Sequence, residues 1–400
     1  MKKILIVANT RLFPATTGGQ LHTTFMAKVM GKLGYEVRVF ALAGRREDYA
    51  QGKKCLDTQP VAGVREYVDL GLTYGLLQTV NRRIGGQRFW QFGLLKQGWV
   101  PSLLKEWLQW ADVALADMPF IPPIPSAKKI PWYLISHNLE FKLLEQGNRQ
   151  ERLLAPFLEK IEAAAPQRYD DIFPVADEDY RFFQQHDRAG KCRLPMIGSG
   201  IDPEVYYPLH AQRAQTRASL GVADDEILFV FSGSQHAPNY LALDALKAFC
   251  RANEAALKAK RWRFLWLGSM ESSAYQEGVM IATSRVPETP PYFAAADVGL
   301  NPVVTGSGAN VKLFEYLAAR LPVLSTVFGV RGTALQAGVD YTIYDPEQPW
   351  TGLEAAAARV GNATEAEAIW QRHRAICDIN ALVAAALSQL PSFAKAGATT

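Results

Sequence analysis

Gly306-Ser307-Gly308 stands directly before a stretch of helical spacing that carries a lysine, Lys312, and a glutamate, Glu315, three positions apart. Glycines let backbone approach a ligand closely, and a helix N-terminus presents free N–H groups to an anion. The segment is neither a G-x-x-x-x-G-K-[ST] phosphate loop nor a G-x-G-x-x-G dinucleotide fingerprint. Phe314, Leu317, Ala318 and Leu321 recur at i, i+3, i+4 and i+7, which predicts the buried face, with Lys312 and Glu315 on its flank. Two readings fit. One is an anion site built from the N–H groups of Ser307, Gly308, Ala309 and Asn310, with Lys312 adding charge. The other is a tight turn into an amphipathic helix with an internal Lys–Glu pair.

Other residues at the ends of apolar runs could also do chemistry. His137 closes the run "PWYLIS", and at the carboxyl end of a strand it would face a ligand cleft; the bland reading is a histidine that supports a turn with Asn138. Glu140 would help hold that loop. Gly18-Gly19 follows the first apolar run and is placed just before the first helix, either as a flexible turn or for close approach of backbone to a ligand. His22, inside that helix, reads as structural. Ser234 and His236 lie in the loop after the run "EILFVFS".

The elements that must position these residues alternate. "KILIVAN" is a continuous apolar run, the pattern of a strand buried on both faces. A helical period over "LHTTFMAKVMGKLG" and a strand at "YEVRVFAL" complete a β-α-β unit, which implies a parallel sheet. "ADVALADMP", "PWYLISHN" and "DDIFPVAD" continue the pattern. "RLPMIGSGIDPEVYYP" interrupts it with Pro and Gly and reads as a linker. The alternation restarts with strands at "EILFVFSGS", "WRFLWLGS", "VGLNPVV" and "PVLST" and helices between them. The expected fold is α/β: two doubly wound Rossmann-like domains facing a cleft. The domains are expected at 1–196 and 197–365, with a helical tail, 366–400, packing across their junction and fraying at "PSFAKAGATT".

The 400 residues are 48% hydrophobic and 20% charged, ordinary for a globular protein. The four cysteines are widely spaced and predict neither a disulfide framework nor a zinc site. The short apolar run at the N-terminus fits a strand better than a signal peptide, and nothing approaches the length of a spanning helix. The expected location is cytoplasmic. Net charge is +4, but residues 1–196 carry +7 and residues 197–400 carry −3. Residues 82–110 hold four of the nine tryptophans, interleaved with arginine and lysine. That composition suits peripheral membrane contact or a lipid-linked acceptor, or simply a segment packing its own core; low overall charge argues against nucleic acid.

In order and spacing, several segments resemble the GT-B-fold, retaining, nucleotide-sugar-dependent glycosyltransferases of the family 4 group. They are Gly18-Gly19, "SHNLE" at 136–140, "VADEDYRFF" at 175–183, "GSGID…YYP" at 198–208, "FVFSGSQHAPN" at 229–239, "VPETPPYFAAADVGLNP" at 286–302 and "GSGANVKLFEYLAARLPVLST…GVRG". The resemblance implies a nucleoside-diphosphate sugar as donor and a glycan, lipid-linked or protein acceptor, in bacterial surface-glycan assembly. It implies no cofactor and no required metal. It puts the donor diphosphate against the backbone of 307–310 and Lys312, the ribose hydroxyls on Glu315, the base near Val286, and His137 beside the reacting sugar. Gly18, Gly19, Ser234 and His236 would contribute further donor contacts. Two positions depart from the family pattern: Ser307 replaces the first of two glutamates, and the loop at Ser234–Asn239 lacks the usual arginine and lysine. Two alternatives remain, a noncatalytic sugar-nucleotide or glycan-binding protein and a sugar-nucleotide epimerase.

Overall fold

The computed structural model describes residues 1–15, 17–50, 52–71, 89–145, 149–197, 200–206, 211–306 and 310–393. The chain divides into two compact units, Met1–Ser199 with Ile379–Thr400, and Gly200–Asp378. The second unit is one continuous stretch between the two segments of the first. Helix Ala363–Cys377 belongs to the second and helix Ile379–Ser388 to the first.

The strands of the first unit are β1 (Lys3–Ala8), β2 (Glu36–Ala41), β3 (Cys55–Val61), β4 (Val64–Asp69), β5 (Val113–Ala116), β6 (Trp132–Ser136) and β7 (Asp171–Pro174). They form one sheet in the order β3-β4-β2-β1-β5-β6-β7, parallel except for the edge hairpin β3–β4. Ile4, Leu5, Ile6 and Val7 of β1 are all fully buried, as a central parallel strand covered on both faces requires. The order reverses at β1, and ligands of such sheets bind beyond the carboxyl ends of the strands near that point.

The second unit repeats the plan with β8 (Ile227–Ser232), β9 (Trp262–Leu267), β10 (Tyr275–Glu277), β11 (Met280–Ala282), β12 (Val298–Asn301), β13 (Val323–Ser325) and β14 (Tyr341–Ile343). Their order is β10-β11-β9-β8-β12-β13-β14, with β10–β11 antiparallel and the rest parallel. Both units are therefore doubly wound and Rossmann-like.

Three local expectations change. The first helix spans Gly18–Lys32, so Gly18 and Gly19 form its first turn instead of preceding it. Thr17 is the reason: its side chain accepts a hydrogen bond from the N–H of Gln20 and caps the helix there. The tail does not fray from Pro391. Phe393 is 6% exposed and packs edge-on to Tyr35, with the Tyr133 ring centroid 6.0 Å away; residues 394–400 lie outside the described residues. In the aromatic segment 82–110, residues 82–88 also lie outside them. Trp107 is buried in the core and Trp110 stacks under the Arg38 guanidinium at 3.8 Å, so both serve packing.

Candidate functional site

In the second unit the helix Val311–Ala318 follows β12, with Leu313, Phe314, Tyr316, Leu317 and Ala318 buried. The expected face therefore forms, widened by Leu313 and Tyr316. Tyr316 spends its hydroxyl on holding β8 and β12, accepting from the N–H of Ser232 and donating to the carbonyl of Leu300. Lys312 and Glu315 are left half-buried on the flank.

Among the described residues each of the two has one side-chain hydrogen-bond partner from elsewhere in the chain. Lys312 Nζ donates to Asn239 Oδ1 at 3.0 Å and lies 4.6 Å from the centre of the Phe231 ring. Asn239 in turn donates to the carbonyl of Ser234, which ties the loop after β8 to the lysine. Tyr206 donates its hydroxyl to Glu315 Oε1 at 2.9 Å. Among the described residues Glu315 Oε2 has no hydrogen-bond partner. Burial pushes the Lys312 ammonium down to about 7, against the opposing pull of Glu315. Burial also raises the Glu315 carboxyl, opposed by the Tyr206 hydroxyl and by Lys312.

The loop before the helix is shaped by close contacts. Gly306 has φ +124, and a Cβ there would lie 3.0 Å from Cγ of Pro238. Only glycine combines that backbone with that approach. Asn310 donates to the carbonyl of Gly329 at 2.6 Å, fixing the entry to the helix. Ser307, Gly308 and Ala309 lie outside the described residues. Ser234 and His236 are exposed, with His236 at the N-cap of helix Ala237–Ala252. Val286 is half-buried and packs on the core of this unit. Lys312, Glu315, Asn239 and Asn310 thus come together around one helix start.

In the first unit His137 and Asp117 stand just beyond β6 and β5, and Thr23 faces them from helix Gly18–Lys32. His137 Nε2 is 3.0 Å from Asp117 Oδ1 and 3.1 Å from Thr23 Oγ1. The Thr23 hydroxyl donates to the same Asp117 oxygen. All three are buried. A carboxylate can only accept, so Nε2 donates to it; in the neutral ring with that tautomer, Nδ1 is an acceptor. That Nδ1 is buried and has no hydrogen-bond partner among the described residues. A Cβ on Gly19 would sit 3.4 Å from the His137 ring, so the first helical turn lies against the imidazole. His22 meets the ring edge-on, with centroids 5.5 Å apart, as the structural reading expects.

The loop after His137 is held by a residue that spacing does not reveal. The buried Glu162 carboxylate accepts from the N–H groups of Glu140 and Phe141 at 2.9 and 3.0 Å. Asp179, inside the quoted "VADEDYRFF", is buried, and that burial pushes its carboxyl up to about 6. Asp117, Thr23, Tyr206 and Asn239 are the site residues that sequence spacing missed, because their partners lie between 20 and 114 positions away. The one available signal was position: Asp117 closes "ADVALAD" as His137 closes "PWYLISH".

Residues 226–361 match the family model described as glycosyl transferases group 1. No curated protein matches the chain in sequence. Solved structures match it over nearly its full length. Anabaena Alr3699/HepE in complex with UDP and glucose is 16% identical, with 98% of this chain and 100% of that one covered and a TM-score of 0.60. A UDP-forming α,α-trehalose-phosphate synthase from Burkholderia xenovorans is 13% identical, with 98% and 99% covered and a TM-score of 0.62. WaaG, a glycosyltransferase involved in lipopolysaccharide biosynthesis, is 15% identical, with 97% and 99% covered and a TM-score of 0.58. At such identities the likeness establishes the fold.

Proposed function

We propose, for a chain that carries a group 1 glycosyltransferase domain on a GT-B frame, that it moves a sugar from a nucleoside-diphosphate donor to a glycan, lipid-linked or protein acceptor with retention at the anomeric carbon. The observation that carries this reading is the pair on helix Val311–Ala318. Lys312 supplies an ammonium beside the helix N-terminus, and Glu315, half-buried, keeps one carboxylate oxygen without a hydrogen-bond partner among the described residues.

The diphosphate lies at the helix N-terminus, where N–H groups and the helix dipole favour negative charge. Lys312 meets the charge that develops on the leaving oxygen, the place where a preorganised donor lowers the barrier most. The Glu315 oxygen left by Tyr206 accepts from the ribose hydroxyls. In the first unit the acceptor hydroxyl approaches His137 and is oriented by Nδ1, which has no hydrogen-bond partner among the described residues. The bond from the anomeric carbon to the diphosphate breaks as a bond to the acceptor oxygen forms on the same face. The acceptor proton passes to the leaving phosphate oxygen, so no enzyme carboxylate has to act as nucleophile. Diphosphate charge is met by protein groups, without a required divalent ion or cofactor. UDP-sugars are the first donors to test, since HepE is described in complex with UDP and glucose. A bacterial surface glycan is the first acceptor class, by analogy with WaaG. A cytoplasmic location, peripheral to the membrane's inner face, follows from that role.

A second reading, a noncatalytic nucleotide-sugar-binding protein, is favoured by the loop Ser234–Asn239, which contains no arginine or lysine. One experiment addresses both. A ligand that binds only the native state must raise its thermal midpoint. Nucleoside diphosphates and nucleotide sugars are screened by thermal shift against the wild type and Glu315→Ala. The expected result is a shift selective for one base that disappears in Glu315→Ala. No shift with any nucleotide removes the transferase reading. A shift without donor consumption, with or without acceptors, favours the binding protein.

A further inference from the structure

The loop Ser234–Asn239 carries no arginine or lysine, and helix Val311–Ala318 carries one cation, Lys312. A diphosphate brings more than one negative charge. A second cation stands on a neighbouring loop. In the second unit β8, β12 and β13 are adjacent and parallel, and ligands of such sheets bind beyond the carboxyl ends of the strands. A Cβ on Gly306, after β12, would lie 3.0 Å from Cγ of Pro238, after β8, and 3.8 Å from Nη2 of Arg331, after β13. The Arg331 guanidinium therefore lies beside the backbone that leads into helix Val311–Ala318.

The loop that carries Arg331 is fixed. Thr326 donates its hydroxyl to the carbonyl of Val303 and accepts from the N–H of Gly329 at 2.8 Å. The carbonyl of Gly329 accepts from two side-chain amides, Asn301 Nδ2 at 3.2 Å and Asn310 Nδ2 at 2.6 Å. Asn301 closes β12 and Asn310 is the N-cap of helix Val311–Ala318. The loop after β13 is thus tied both to the end of β12 and to the helix entry. A Cβ on Gly329 would fall 2.4 Å from Ser325 Oγ and 2.6 Å from Asn301 Nδ2, so a side chain there would break this arrangement.

Two residues on, Arg331 is held by its own turn. Its backbone N–H and its Nη1 both donate to the carbonyl of Phe328, at 3.2 and 3.1 Å, and the guanidinium carbon lies 4.0 Å from the centre of the Phe328 ring. A guanidinium has five N–H donors, so holding its turn and contacting a ligand are compatible. A planar fork stacked on an aromatic ring is already oriented, and it matches phosphate oxygens two at a time. Burial lowers the pKa of the Arg331 guanidinium, a cost to its charge that a bound polyanion offsets.

We propose that Arg331 contacts the diphosphate of the nucleotide donor and supplies the charge that the loop Ser234–Asn239 lacks. This rests on the nucleotide-sugar reading of the second unit and deepens it. The diphosphate is then held from two elements, by Lys312 on the helix after β12 and by Arg331 on the loop after β13. The competing role is an arginine that only braces the turn at Phe328. The two roles differ in what they do to charge: a brace serves every ligand alike, whereas a phosphate contact acts on phosphates and is screened by salt.

The test is calorimetric titration of the full chain at low and high salt. The ligands are the nucleoside diphosphate that gives the largest thermal shift, its monophosphate, its nucleoside and inorganic pyrophosphate. Wild type is compared with Arg331→Gln and Arg331→Lys. The proposal expects Arg331→Gln to weaken the diphosphate by about tenfold or more and to leave the nucleoside unchanged. Its diphosphate affinity also falls less steeply with salt than that of the wild type, and Arg331→Lys recovers part of the loss. Should Arg331→Gln lower the thermal midpoint of the free protein, Arg331→Lys and the salt dependence decide. Equal diphosphate binding by wild type and Arg331→Gln overturns the proposal, as does a loss of the same size for the nucleoside. Pyrophosphate binding as tight as that of the diphosphate, with the same dependence on Arg331, overturns it too, since it assigns the arginine to a free-anion site. In each of these cases the nucleotide still binds the wild type and the transferase reading stands. A wild type that binds no nucleotide sinks both.

Discussion

The polar clusters of the two units sit in equivalent places, at the carboxyl ends of parallel strands, yet they are built in opposite ways. In the first unit Thr23, Asp117 and His137 are buried, and each lies within 3.1 Å of another. Their geometry is settled by the chain itself, and His137 Nδ1 remains without a partner among the described residues. In the second unit Lys312 and Glu315 are half-buried and make one side-chain hydrogen bond each. Two ammonium protons and one carboxylate oxygen remain without partners among the described residues. In the proposed reaction the first cluster positions a group and the second meets charge, one for an acceptor that brings no charge to the reaction and one for a diphosphate that brings a great deal.

The sharpest way to break this comparison is to remove one member from each cluster. With the donor found by thermal shift, Lys312→Ala lowers the turnover number by roughly 100- to 1,000-fold, the cost of losing one donor to a developing oxyanion. His137→Ala lowers it less, about 10- to 100-fold, and leaves the nucleotide-induced thermal shift unchanged, since it touches no part of the nucleotide. Steady-state rates and thermal shifts on the same preparations check both. Undiminished activity in Lys312→Ala would remove the lysine from the site. Loss of nucleotide binding in His137→Ala would erase the division of labour between the units.

A smaller effect sharpens it. With its pKa at about 7, Lys312 is largely protonated below neutrality and largely neutral above it. A bound diphosphate favours the ammonium and raises that pKa. Nucleotide-sugar affinity therefore weakens by about tenfold between pH 7 and 8.5 in the wild type and stays flat in Lys312→Met, as calorimetric titration would show. The free protein moves the other way. The unfolded chain holds this proton up to about pH 10.4, so between pH 7 and that value it binds more protons than the folded chain. Over that window the Lys312 contribution to stability rises with pH, and Lys312→Met removes the slope.

What the sequence disclosed follows the same physics. Central strands such as β1, β6 and β8 are legible because burial on both faces writes a continuous apolar run. The edge strands β3, β10 and β14 are half exposed and carry no such run, and none was foreseen. β4 alternates properly, but one of its inward positions is Glu66, 1% exposed. Its carboxylate accepts from the N–H groups of Leu12 and Phe13 and holds the loop after β1, so the inward face reads as polar and the strand is disguised. At the site, Lys312 and Glu315 were legible because i and i+3 share a helix flank. Asn239 and Tyr206 were not, being 73 and 109 residues from the groups they bond. Spacing reports what one element does alone, and the partners that tune a side chain come from others.

The smallest predicted effect tests whether the first cluster is a unit at all. Thr23→Val keeps the branched shape in a helix interior and removes only the hydroxyl that stands between Asp117 and His137. Asp117 then loses a donor inside a buried site, where a hydrogen bond to a charged group is worth about 1–3 kcal/mol. Chemical denaturation should show a loss of that size, and Thr23→Ser, which keeps the hydroxyl, should recover most of it. If the three residues act together, the freed imidazole also costs part of the His137 effect on turnover, and Thr23→Val in the His137→Ala background adds nothing further to the rate defect. Full additivity would mean that Thr23 stabilises the helix Gly18–Lys32 independently of the site. The first unit would then share with the second the property of carrying single reactive groups instead of an assembled cluster.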